Sequence, residues 1–149
     1  MSYKQLSVMA GLLVACLPLG GCAPRTSEAE ETGSRAVKVE AIDGSELKRV
    51  ILTAEAAQRL DIQTTTVRSM QVKGTLRTVV PYAAILYDKE GNTWVYTSTE
   101  SLAFVRAAVT IDYVDGDLAI LSMAPRLGTT VVTVGAAELF GSEEEFEEE

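Results

Sequence analysis

The chain has 149 residues, 47% of them hydrophobic and 23% charged, enough apolar material to build a core and too much for a wholly disordered polymer. Its formal net charge is -8, yet six acids fall in the last seven positions; the remainder, 13 basic against 15 acidic residues, carries only -2. That balance holds no basic stripe for nucleic acid; histidine is absent and both cysteines, Cys16 and Cys22, lie near the N-terminus, which excludes a disulfide framework, a Cys/His zinc site and any histidine-dependent nucleophile.

The first segment reads as an export signal. Met1 to Ser7 is short and polar with the single charge Lys4, and Val8 to Leu19 is apolar before Gly20 and Gly21. A membrane-spanning helix needs about 20 apolar residues, and this run is shorter and broken by Pro18. The pattern is that of a removable signal peptide over residues 1–21.

Leu19-Gly20-Gly21-Cys22 resembles a bacterial lipobox. That resemblance implies cleavage between Gly21 and Cys22 and diacylglycerol on the Cys22 thiol; Leu13-Val14-Ala15-Cys16 fits the same pattern with a shorter apolar region. Two acyl chains give stable anchoring where one does not. The product would be exported and lipid-anchored on the periplasmic side of the inner or outer membrane. Residues 22–36 follow as a small, polar tether; the 14 residues from Ala23 to Ala36 reach at most about 45–50 Å.

The folded segment is expected over residues 37–141. Val37 to Ala41 alternates apolar and polar residues, as a half-buried strand does, and Asp43-Gly44 is a turn before a strand from Lys48 to Leu52. Thr53 is a helix N-cap with Glu55 in the first turn, and Ala56, Ala57 and Leu60 line one face of the short helix. Ile62 to Val67 and Gln71 to Val80 are rich in Thr and Val and predict two strands.

Pro81 ends the second of these. Ala83 to Tyr87 and Thr93 to Thr97 flank Asp88-Lys89-Glu90-Gly91-Asn92 as a hairpin. Val105, Ala107, Val109, Ile111 and Tyr113 alternate with more polar neighbours in the clearest strand. Asp115-Gly116-Asp117 turns it into Leu118 to Met123, and Thr130 to Val134 follows, with a helical cap from Gly135 to Phe140. These short strands predict a mainly β fold, a small antiparallel barrel or sandwich with one short helix. The glutamate-rich residues 142–149 predict a disordered, solvated tail.

Two blocks resemble the periplasmic adaptor proteins (membrane-fusion proteins) of RND-type efflux pumps. The first, Val50 to Thr64, is similar to the strand, short helix and strand that open the membrane-proximal domain. The second runs from Val80-Pro81 through Asp88, Trp94-Val95-Tyr96 and Phe104-Val105-Arg106 to Val131-Val132 and Gly135-Ala136, in the order of the family's return into that domain. Only the residues around Met70 to Leu76 join the blocks, so the resemblance implies the membrane-proximal piece without the helical hairpin that meets an outer-membrane channel. Two positions depart: Asp61 stands at a helix end where the family often has glycine, and Ala124-Pro125 replaces a Gly-Leu step.

The resemblance implies a non-catalytic accessory module of an efflux system, partnered by the membrane through its anchor and by an RND-type transporter or a full-length adaptor. A free-standing lipoprotein that binds a small molecule or cation is the alternative reading, and a structural envelope lipoprotein is another. Trp94, Tyr96 and Phe104 are candidates for a partner or ligand surface, although aromatics within strands more often fill a core. No catalytic residue, cofactor or metal is expected; Asp112, Asp115 and Asp117 lack the spacing of a calcium loop.

Overall fold

A computed structural model describes residues 36–147, with side chains to residue 146. The strands are β1 (Val37–Ala41), β2 (Lys48–Leu52), β3 (Gln63–Thr66), β4 (Arg68–Val72), β5 (Thr75–Pro81), β6 (Leu86–Tyr87), β7 (Thr93–Glu100), β8 (Ala103–Asp115), β9 (Leu118–Met123) and β10 (Thr130–Val134). Two helices accompany them, α1 (Ala54–Arg59) and α2 (Ala136–Glu147). The export signal, Cys22 and most of the tether lie outside the described residues.

The strands form a curled antiparallel half-barrel in the order β3-β10-β7-β8-β9-β5-β4, with β1 paired to β2, β2 to the start of β8, and β6 to β7. β3 and β4 are successive halves of one extended stretch. The first half pairs with β10 and the second with β5, while Val67 between them exchanges backbone bonds with Gly128 and Thr129. The two ends of the pairing order therefore meet in one piece of chain. The curl also needs a strand that bends: β8 spans 13 residues and shifts register twice between Thr110 and Tyr113, as bulges do.

Alternation assigns the strands' side chains to separate cores. Val67, Val80, Ala84, Val95, Val109, Ala119, Leu121 and Val131 form the aliphatic interior of the curl. On the other side of β7 and β10, Tyr96 and Val132 pack with Val50, Leu52, Ala56, Phe104, Ala136 and Leu139 beneath the helices. A smaller cluster of Val72, Val79 and Ile120 lies on the outer face of β4, β5 and β9. Central strands are thus apolar on both sides, which explains why Val95-Tyr96 and Val131-Val132 are not simple alternating runs.

Local chemistry explains the elements that the sequence predicts. Thr53 caps α1 by accepting a hydrogen bond at Oγ1 from the Ala56 N–H, 3.1 Å away. At the other end Asp61 adopts φ +48, the left-handed geometry that glycine enters without cost. Its N–H donates to the Gln58 carbonyl and that of Ile62 to the Ala57 carbonyl, a Schellman closure. Ile62 then drops into the core under α1.

Three expectations are corrected. Gln71 to Val80 is not one strand but parts of two: Lys73 and Gly74 have φ +52 and +82, the two-residue geometry whose twist suits a tight hairpin. Ala83 to Tyr87 is a 3-10 turn at Tyr82–Ala84 followed by the two-residue β6, because Pro81 ends the ladder. The acidic residues 142–149 are not a solvated tail throughout: α2 runs on to Glu147, and Glu143 is fully buried. Ala136, Leu139, Glu143 and Phe146 recur at helical spacing on one face, so the glutamate occupies a position where the helix meets the sheet.

Candidate functional site

The densest polar arrangement among the described residues lies under α2. Tyr96 on β7 and Arg106 on β8 sit opposite each other in the ladder, so both project to one face. The Tyr96 hydroxyl donates to Glu143 Oε2 at 2.5 Å. Arg106 donates through Nε to Glu143 Oε1 at 3.1 Å, and a terminal guanidinium nitrogen lies 2.9 Å from the same oxygen. Both oxygens of the carboxylate are engaged.

Aromatic rings hold the arginine. The guanidinium carbon lies 5.1 Å from the ring centre of Trp94 and 5.1 Å from that of Phe140, within reach of a cation–π attraction. Side-chain exposure is 11% for Arg106 and 1% for Glu143, so the pair is largely desolvated. Such a pair contributes little net stability, but removing one partner strands a buried charge. Burial, reinforced by the hydrogen bond to Glu143, pushes the Tyr96 hydroxyl far above the ordinary tyrosine range, so it remains a donor.

Trp94 extends the arrangement to the β6–β7 turn. Its Nε1 donates to Asp88 Oδ2 at 2.9 Å, and Asp88 also accepts from the N–H groups of Glu90 and Asn92 and from Asn92 Nδ2. Partial desolvation alone would raise the Asp88 pKa, but these donors outweigh it and hold the carboxyl at about 2. Gly91 completes the turn at φ +85. Two further cations reach α2: Lys89 pairs with Glu144 at 2.5 Å, and Lys48 Nζ lies 5.3 Å from the Phe146 ring centre. An acidic helix C-terminus opposes the helix dipole; these cations offset that penalty.

The three aromatics predicted as a surface therefore separate. Tyr96 and Phe104 are fully buried, at 0% and 2% exposure, and offer no surface; they pack with Val50, Leu52, Val132 and Leu139 in the core beneath the helices. Trp94 is half-buried, its ring occupied by Arg106 and its nitrogen by Asp88. Neither Arg106 nor Glu143 stands out in the sequence as a site residue. Helical spacing from Leu139 to Glu143 was the available signal, hidden by the run of glutamates that follows.

Asp112 pairs with Arg77 on β5, and the Asp117 carbonyl accepts from the Tyr82 N–H. Among the described residues no group of three or more Asp, Glu, His or Cys side chains is placed to hold a metal ion, and no helix is long and apolar enough to cross a membrane. Gly21 and Cys22, the expected cleavage and lipidation positions, lie outside the described residues. Searches of family models, curated proteins and solved structures return no match to this chain.

Proposed function

We propose that this protein is a membrane-tethered, extracytoplasmic lipoprotein that acts without catalysis, as an adaptor-like accessory module of an RND-type efflux system. The observation that carries the reading is the apolar, small-residue approach to Cys22 in Leu19-Gly20-Gly21-Cys22, followed by two blocks similar to the membrane-proximal domain of periplasmic adaptors. The pairing of those blocks supports it. β2 and β3 from the first block bond to β8 and β10 from the second, so the segments make a single sheet although only the stretch that folds as the β4–β5 hairpin joins them. The left-handed geometry of Asp61 is also what a position often occupied by glycine in that family would require.

The buried glutamate clasp fits a scaffold role, since both carboxylate oxygens are committed to holding α2. Partner contact then falls to the outer surface. The test is co-purification of the lipidated protein from gently solubilised membranes. Recovery with an inner-membrane transporter or a full-length adaptor is expected, and that association should disappear with Cys22→Ala. Isolation as a lone monomer, or membrane attachment undiminished by Cys22→Ala, would overturn the reading.

A further inference from the structure

β1 is an edge strand. It pairs with β2 on one side and, among the described residues, with no strand on the other. Two bonds settle which backbone groups face that outer edge. The Thr53 N–H donates to the Ala36 carbonyl, while the Leu52 N–H donates to the Leu102 carbonyl on the β8 side. Alternation along the strand from Ala36 then turns the N–H and C=O groups of Lys38 and Glu40 toward β2. Those of Val37, Val39 and Ala41 point outward, where no described strand meets them.

Unpaired backbone groups in a row are a template for another strand, and the side chains decide which strand fits. Val37 and Val39 pack toward the core beneath the helices. Lys38 and Glu40 occupy the opposite face of β1, across the ladder from Ile51 and Arg49. Their side chains are 65% and 36% exposed, and they pair with each other at 2.8 Å.

The strand that fits is a second β1. Laid antiparallel with Val39 opposite its own counterpart, Val37 of each copy faces Ala41 of the other, and the outward groups meet in about six backbone hydrogen bonds. The same register sets Lys38 of each copy opposite Glu40 of the other, at the non-hydrogen-bonded positions where side chains come closest. A slip of two residues, the smallest that keeps the outward groups matched, sets Lys38 opposite Lys38 or Glu40 opposite Glu40. Like charges directly opposite destabilise a sheet. We infer that two copies of this chain pair through β1 in the Val39-centred register, joining their sheets across a two-fold axis. The alternating charges attract in that register and repel in the neighbouring ones, which favours a second copy over a foreign strand. The inference goes beyond the efflux reading and does not rest on it.

The test follows the mass of the full chain, purified from membranes in mild detergent, by native mass spectrometry over a concentration series. A dimer is expected whose population grows with concentration. Lys38→Glu and Glu40→Lys each set like charges opposite one another twice, and each should raise the dimer dissociation constant about tenfold or more. Mixed in equal amounts, the two variants should dimerise again, because each copy then faces the opposite charge at both positions. Val39→Pro removes an outward N–H and leaves the bonds to β2 in place; it should abolish the dimer. A parent that stays monomeric, a dimer indifferent to both reversals, or folded single variants that fail to recover on mixing overturns the inference. Should Glu40→Lys, which faces Arg49, lose the parent's circular dichroism, Val39→Pro decides alone: a dimer that survives it overturns the pairing.

Discussion

The two sides of the β7–β10 layer are packed by opposite means. Toward the interior of the curl the side chains are short and aliphatic: Val95, Val131, Ala119 and Leu121 meet with no polar atom among them. Toward α2 the same strands present Tyr96 and Val132, and the helix answers with a buried carboxylate bound to Tyr96 and Arg106. The first side gains by removing apolar area from water in proportion to its extent. The second also gains a fixed docking geometry, because only one placement of α2 satisfies both oxygens of Glu143. An aliphatic core tolerates small slips; a desolvated ion pair does not.

The comparison breaks most visibly at Glu143. Glu143→Ala leaves Arg106 without its partner between two rings, and a loss of about 3–5 kcal/mol is expected from the cost of an uncompensated buried charge. Leu121→Ala, on the aliphatic side, should cost about 2–5 kcal/mol through lost burial and the cavity left behind. Urea unfolding measures both. The distinction appears on combination: Arg106→Met with Glu143→Leu, together with Tyr96→Phe so that no buried hydroxyl is left unpaired, should recover most of the loss, whereas no partner substitution is expected to rescue Leu121→Ala as fully. Equal losses without rescue would mean that the pair acts only as packing volume.

A smaller effect sharpens how α2 is aimed. Gly135 connects β10 to α2 at φ +85, and a Cβ there would stand 2.3 Å from Ile62 Cδ1 and 3.3 Å from the Leu60 carbonyl oxygen. Gly135→Ala combines a left-handed backbone with that clash, so a destabilisation of about 1–3 kcal/mol is expected. Hydrogen exchange across residues 136–147 should rise more than exchange in β9, which is remote from the clash.

The gentlest probe is acid. Asp88 titrates at about 2 in the fold against an ordinary value of 3.8. A folded pKa below the unfolded one means that the carboxylate contributes stability above pH 3.8, and that this contribution is lost as the pH falls through 2. Asp88→Ala should therefore flatten the stability profile over that window and loosen the Trp94 indole, visible as a change in tryptophan emission. An unchanged acid limb would place the restraint on Trp94 elsewhere.

Much of the architecture was legible in residue order. The Thr53 cap, the alternation through β8, the glycine turns and the pairs of β-rich runs depend on interactions within a few residues, which local chemistry dictates. The Lys73–Gly74 hairpin was also local, yet it lay inside a run of strand-forming residues, and one lysine with positive φ is a weak signal beside Val and Thr. The aromatic surface failed for a different reason: whether Tyr96 faces solvent depends on what covers β7, and the cover comes from residues 136–147.

By itself the sequence determined the mainly β class, the glycine turns at Gly44, Gly91 and Gly116, the absence of histidine chemistry and the expectation of an exported, lipid-bearing N-terminus. The tertiary structure alone decided that Glu143, the first member of an apparently solvated charge run, is the most buried carboxylate among the described residues. The reason is physical. A charge is stable away from water only when its partners are in place, and Tyr96 and Arg106 lie 47 and 37 residues away, brought to Glu143 by the sheet and by nothing in its neighbourhood along the chain.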